Sequence, residues 1–343
     1  MMSHSCWVLV FNILLCVSAS KRFNDFGSFK AVSYYDGEYV ENNYNGGDLV
    51  LDKKLITGVL RGMTYIPRAT LTIDGVQRDL GGYFVDNTEF TVGEYKKFLF
   101  TLSDFVEKKK NKEFVLYTDS DLEDFYDAEL AKKFLDLQSS LFNRLTVEYV
   151  ESLKPQNDIF LDEMDDDYVK RYGLAQYFSD AMFDSYPVVG LNFKQVEEVT
   201  LWRTYYANLY LLNTGIASLV KFEIPTLDDY SYIANRGDAN CVYAWGSLNE
   251  RDDNGQLCAN FNYDCGTVCS VSRYAGSGKS VKNLFSNVNE WTASVANNDP
   301  VLRFVTGGDY AASVSDVVIG SRRVEHVDRC RHVVGFRCIL RIV

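Results

Sequence analysis

Proline, histidine and basic charge are all scarce in this chain, and each scarcity closes off a class of function. Its 343 residues include five Pro and three His, and 35 Lys and Arg stand against 47 Asp and Glu, a formal net charge of -12. So few prolines leave no proline-rich linker, and the chain reads as a compact mixed domain. A surface this acidic repels phosphate backbones. Its longest basic run is Lys108 to Lys110, which suits a solvated helix face, so nucleic acid is excluded as a partner. Metalloprotease His-Glu-x-x-His spacing, a Ser/His/Asp order and a phosphate-cradling glycine loop are all missing. The segment Gly276-Ser277-Gly278-Lys279-Ser280 ends like such a loop but lacks its first glycine, and reads as a loop tip. No apolar run reaches the ~18 residues that a membrane-spanning helix needs.

Between residues 17 and 240 there is no cysteine at all. Ahead of that gap, Cys6 to Cys16 is apolar but for Asn12, and Val17-Ser18-Ala19 supplies small residues for a signal peptidase. Residues 1–19 therefore read as a signal peptide, which places the mature protein outside the cytoplasm. The alternative is lipid attachment at Cys16, after Ile13-Leu14-Leu15, and any membrane association would then run through that anchor. Beyond the gap lie Cys241, Cys258, Cys265, Cys269, Cys330 and Cys338. In an exported chain these are disulfide candidates, enough for three bridges whose pairing the sequence leaves open. A zinc site built from Cys265, Cys269, His326, Cys330 and His332 is the sharper alternative, although the paired short knuckles of structural zinc sites are absent.

With 47% hydrophobic residues, among them 23 Tyr and 22 Phe, the chain can bury a sizeable core. Residues 20–57 are rich in Tyr, Asn, Gly and Asp without periodicity, and read as an irregular leader; residues 58–343 form the domain. Val59 to Pro67, Ala69 to Ile73 and Gly82 to Asp86 read as short strands. Thr91-Val92-Gly93-Glu94 has the form of a capping box, and Tyr95, Phe98 and Leu99 follow at helical spacing. From about 101 to 182 charge is dense and the periodicity helical, which predicts a helical insertion. Its run Leu161 to Asp167 lacks the glycine and closing glutamate of a calcium-binding EF-hand loop and reads as a solvated acidic turn. A helix opened by Asn192 and Gln195 should bury Val196, Val199, Trp202 and Tyr206 on one face, and another starts at Thr226-Leu227-Asp228-Asp229. The C-terminal third is rich in Gly, Asn and Asp and reads as loops tied by cysteines or metal.

Six blocks, in order, carry a resemblance. They are Tyr83 to Thr91, Tyr186 to Trp202, Phe222 to Gly237, Tyr243-Ala244-Trp245-Gly246, Leu284 to Thr292, and Val334-Gly335-Phe336-Arg337-Cys338. Together, over roughly residues 58 to 340, they resemble the formylglycine-generating-enzyme or sulfatase-modifying-factor family. That resemblance implies an α+β fold, the formylglycine-generating-enzyme-like variant of the C-type lectin fold, loop-rich and here with a helical insertion. The export signal, the acidic insert, Tyr186 to Gly190 and Trp202-Arg203-Thr204 resemble more narrowly the gliding-motility lipoproteins associated with type IX secretion.

The family's oxidases hold copper between two thiolates just beyond a glycine pair. Here that pair is Gly307-Gly308, and the two cysteine positions fall on Ala312 and Val317. Neither side chain can supply a thiolate, so the resemblance implies no copper and no oxidase activity. The family's alternative iron site needs more histidine than His4, His326 and His332 provide. The resemblance also implies calcium, held at one site by Asn260 and Asp264 and at another by Asn287 and Glu290. Cys338 matches a family cysteine, but its partner position holds Thr200. What remains is an exported, partner-binding component of a periplasmic or outer-membrane complex in a bacterium. The alternatives are a lectin-like binder that exposes Trp245 or Trp291 in an open pocket and, behind it, an oxidoreductase of the formylglycine-generating type. The partner surface is expected on the insert, where Phe134, Leu135, Leu141 and Leu145 recur at helical spacing and must cover either the parent domain or another subunit.

Overall fold

The computed structural model describes residues 58–73, 76–114, 116–235, 241–274 and 281–343. The signal segment, Cys16, the irregular leader and the Gly276 to Ser280 loop tip lie outside the described residues.

Two small sheets and a hairpin make up the β part. Strands β1 (Met63–Ile66), β4 (Tyr83–Asp86), β5 (Val220–Glu223) and β10 (Ile339–Ile342) form one sheet in the order β1-β4-β10-β5, antiparallel throughout. The last strand of the chain thus enters between two much earlier ones, with Leu340 opposite both Phe84 and Phe222. Strand β4 is buried along its whole length, as a central strand covered on both faces must be. Strands β6 (Asn289–Val295), β7 (Leu302–Thr306), β8 (Arg322–His326) and β9 (Val334–Gly335) form the second sheet, order β8-β7-β6-β9. β2 (Ala69–Ile73) and β3 (Val76–Leu80) pair as a separate hairpin.

The helices start where their caps stand. Helix α1 (Val92–Lys110) opens on Thr91, whose Oγ1 accepts from the Glu94 N–H at 3.2 Å while Glu94 accepts from the Thr91 N–H at 2.8 Å. Helices α2 (Asp119–Leu122), α3 (Ala128–Arg144), α4 (Val147–Ser152), α5 (Ile159–Glu163) and α6 (Asp166–Tyr172) follow. The long α7 (Phe193–Asn213) has the same reciprocal cap between Asn192 and Gln195, and α8 (Leu227–Asn235) begins behind Thr226 and Asp229.

Residues 101 to 110 are the second half of α1, whose buried face Leu102, Phe105 and Val106 continue. Of the two coverings left open for the apolar positions beyond them, the parent domain is the one found. Phe134, Leu141 and Leu145 are buried in the same core as Phe84 and Phe336, with Leu135 packed at its margin. Phe134 stacks on Tyr205 at 5.6 Å, and Phe142 meets Trp202 edge-on at 5.9 Å. In consequence Trp202 to Ala207 are all buried, and the middle of α7 is enclosed on more than the single expected face. The acidic run is built in as well. Asp165 caps α6, and Glu163 accepts from His332 Nδ1 at 2.6 Å and from Arg331 at 3.2 Å.

Candidate functional site

Ala312 and Val317, the positions at which the resemblance leads one to expect the family's copper cysteines, lie on the loop between β7 and β8. Both are buried there, in an apolar cluster with Trp245, Ala259 and Phe261. Trp245 is stacked between Tyr243, at 4.4 Å, and Phe261, at 6.0 Å, with the three rings nearly parallel. Packing at the glycine pair is tight: a Cβ on Gly308 would stand 2.6 Å from Val317 Cγ1 and 3.1 Å from Ala312 Cβ. Trp291 is also fully buried and donates its indole N–H to the Leu191 carbonyl. Neither tryptophan therefore lines an open pocket. A groove of about 760 Å³ lies elsewhere, against α3, α7 and β5. None of the candidate metal ligands, cysteines or copper positions lines it.

Charge is concentrated in the core beside this loop. Arg337 is completely buried and donates to both oxygens of Glu290, at 2.6 to 3.1 Å, as well as to the carbonyls of Asp86 and Lys282. Tyr230 donates to the same carboxylate at 2.7 Å. Burial works against the guanidinium charge, but Glu290 beside it more than compensates and holds it protonated. A second buried pair, Arg203 and Asp86, joins α7 to β4 at 2.8 and 3.2 Å, with the guanidinium over the Phe222 ring at 4.0 Å.

Glu89 has no such partner within hydrogen-bond reach. Its oxygens accept from the side-chain amides of Asn283, at 3.0 Å, and Asn287, at 2.9 Å, in a fully buried setting. Burial pushes the Glu89 carboxyl up to about 7, against the attraction of Arg337 and with repulsion from Glu290. The folded protein then keeps a proton on Glu89 that the unfolded chain, with the ordinary value of 4.5, gives up. The stability tied to that proton is complete below about pH 4.5 and is lost as pH rises through about 7. Its size is on the order of 3 kcal/mol. Urea unfolding of the native protein and of Glu89→Gln should therefore differ in pH slope across this window, with the variant flatter. Parallel slopes would mean that Glu89 ionises as freely as in water.

The four calcium candidates are placed as follows. Asn260 and Asn287 are fully buried and bonded to each other, Asn260 Nδ2 donating to Asn287 Oδ1 at 2.9 Å. Asn260 Oδ1 accepts from the Cys265 N–H at 3.2 Å, and Asn287 Oδ1 also accepts from the Cys269 N–H at 3.0 Å. Glu290 is neutralised by Arg337, while Asp264 is exposed and bonded by the Tyr274 hydroxyl. This donor set does not fit a calcium ion, since each of the four residues gives a side-chain oxygen to a protein donor. Hydrogen bonds tie the loop here. Nor do the zinc candidates gather: His332 is turned to Glu163, His326 is exposed near Asp328, and among the described residues no three His, Cys, Asp or Glu side chains are placed to share a metal. Among the described residues no disulfide joins any of the six downstream cysteines.

Sequence reasoning passed over Glu89, Asn283 and Tyr274. Glu89 lies in the segment Tyr83 to Thr91, but the amides that bond it come from residues nearly two hundred positions away.

Comparison with known proteins puts this arrangement in a family. Residues 62–342 match the sulfatase-modifying factor enzyme 1-like domain, and the chain belongs to that family, with its loop-rich α+β fold. No curated protein matches. Among solved structures it is similar to PvdO from Pseudomonas aeruginosa, with 13% identity, 81% of this chain and 94% of that one covered, and a TM-score of 0.47. It is also similar to Treponema denticola variable protein 1, with 12% identity, 82% and 94% covered and a TM-score of 0.44. A third is CarF, with 15% identity, 82% and 95% covered and a TM-score of 0.43.

Proposed function

We propose that this protein is a non-catalytic member of its family, exported in a bacterium, which works by binding protein partners in a periplasmic or outer-membrane complex. The carrying observation is the packing of Ala312 and Val317 beneath Trp245 and Phe261. Two apolar side chains stand where the family's oxidases need thiolates, and their surroundings are filled with hydrocarbon rather than shaped as a reaction site. More finely, the resemblance of Tyr186 to Gly190 and Trp202 to Thr204 to the gliding-motility lipoproteins supports a place in a gliding or type IX secretion assembly. Cys16 would be its lipid anchor if it is lipidated. Among the described residues no helix is long and apolar enough to cross a membrane, and the proposal requires none. The lectin-like alternative draws no support from Trp245 or Trp291, which are both buried.

Incubation with a sulfatase-type cysteine peptide and copper should give no formylglycine by mass spectrometry. Turnover that disappears when one of the six cysteines is replaced would overturn the non-catalytic reading. Cross-linking in the native envelope, with the full chain as bait, should recover outer-membrane or periplasmic proteins. Recovery no different from that of an unrelated exported bait would overturn the partner-binding one.

A further inference from the structure

Several of the contacts that hold the loop from Asn260 to Tyr274 converge on two cysteines. Three residues separate Cys265 from Cys269 along the chain, and both hang from the buried, mutually bonded amides of Asn260 and Asn287, one backbone N–H on each. The intervening Gly266 has φ +75°, and a Cβ there would stand 2.2 Å from the Tyr172 hydroxyl. Glycine alone accepts both that backbone and that neighbour. Tyr168 donates to the Gly266 carbonyl at 2.6 Å, so α6 clamps the turn from outside.

This clamping sets the two cysteines on one tight turn and makes them unequal. Cys265 is half-buried, whereas Cys269 is buried. The Tyr274 hydroxyl, which also bonds Asp264, lies 3.4 Å from Cys265 Sγ. The neighbouring Cys269 thiol, with help from Tyr274 and the nearby Arg273 and against partial burial and Asp264, brings the Cys265 thiol down to about 7. Cys265 in turn pushes Cys269 up. An accessible sulfur with thiolate character backed by a hidden second thiol is the arrangement that thiol–disulfide exchange requires.

We propose that Cys265 and Cys269 form an exchange-active dithiol that reduces organic disulfides, with Cys265 as the attacking thiol and Cys269 as the resolving one. Cys265 thiolate forms a bond to one sulfur of R–S–S–R, the S–S bond breaks, and RS⁻ leaves with the electron pair to be protonated by water. Cys269 then releases its proton to water and its sulfur attacks Cys265 sulfur, expelling the second RS⁻. Two thiols of the protein are oxidised to one disulfide, and one external disulfide is reduced to two thiols. The inference is independent of the partner-binding proposal and of the Ala312 and Val317 positions.

Full-length protein, reduced and freed of reductant, would be incubated with oxidised glutathione at neutral pH, quenched in acid, alkylated and mapped by mass spectrometry. The expected product is a peptide bridged between Cys265 and Cys269. Cys269→Ser should instead accumulate glutathione on Cys265, and Cys265→Ser should give neither product. In the unmutated protein Cys265 should be alkylated by iodoacetamide at least ~10-fold faster than Cys241, Cys258 or Cys330, a measurement that stands even if a variant fails to fold. Glutathione on Cys241 or Cys258 with Cys265 untouched, or a Cys265 alkylation rate no higher than theirs, would overturn the proposal.

Discussion

Deletion of residues 119–182 should leave a chain that no longer unfolds cooperatively in urea and has lost its near-UV circular dichroism. The segment brings Phe134, Leu141, Phe142, Val150 and Phe160 into the main core. Truncating one such side chain typically costs 2–5 kcal/mol, and a whole domain has only about 5–15 to lose. The deletion would also strand polar groups. Tyr95 donates to the Leu153 carbonyl at 2.5 Å, the Trp202 indole N–H to Tyr149 at 2.9 Å, and Gln195 to the Ser152 and Lys154 carbonyls at 3.1 and 2.8 Å. A deletion variant with native near-UV signal and a sharp urea transition would show that the insert is separable after all. Phe134, Leu141 and Leu145 face the parent domain, so a partner surface on the insert, as proposed, would use its outward residues.

Replacing Arg337 by methionine should lower stability by about 3–5 kcal/mol, the usual result of removing one member of a buried ion pair. Methionine keeps much of the bulk, so the loss would come from charge. Glu290 would remain 2% exposed with only Tyr230 to bond it, and Glu89 nearby would lose the cation that holds its carboxyl down. The carbonyls of Asp86 and Lys282 would lose their donor as well. Adding Glu290→Gln to Arg337→Met should recover part of the loss, since the double variant buries no uncompensated Glu290 charge. A single variant within 1 kcal/mol of the native protein by urea titration, or a double variant whose losses simply add, would mean that the pair does not hold the two sheets together as its contacts imply.

The sequence by itself determined what rests on neighbours in the chain. Thr91 with Glu94 and Asn192 with Gln195 are reciprocal caps closed within three residues, so the starts of α1 and α7 were legible. The six ordered blocks likewise located the family domain. Tertiary structure alone decided matters that depend on partners far along the chain. The helical spacing of Phe134, Leu141 and Leu145 shows that they cover something, but the same stripe suits a second subunit as well as α7. Asn260, Asn287 and Glu290 are hard oxygen ligands in a loop, which suggests calcium until the packing shows their oxygens bonded to Cys265, Cys269 and Arg337. That Cys265 and Cys269 share one tight turn is decided where Gly266 turns the loop under Tyr172 and two buried amides fix both cysteine backbones. Side-chain type sets what a residue can bond to, whereas long-range packing sets which bond is made and whether water competes for it.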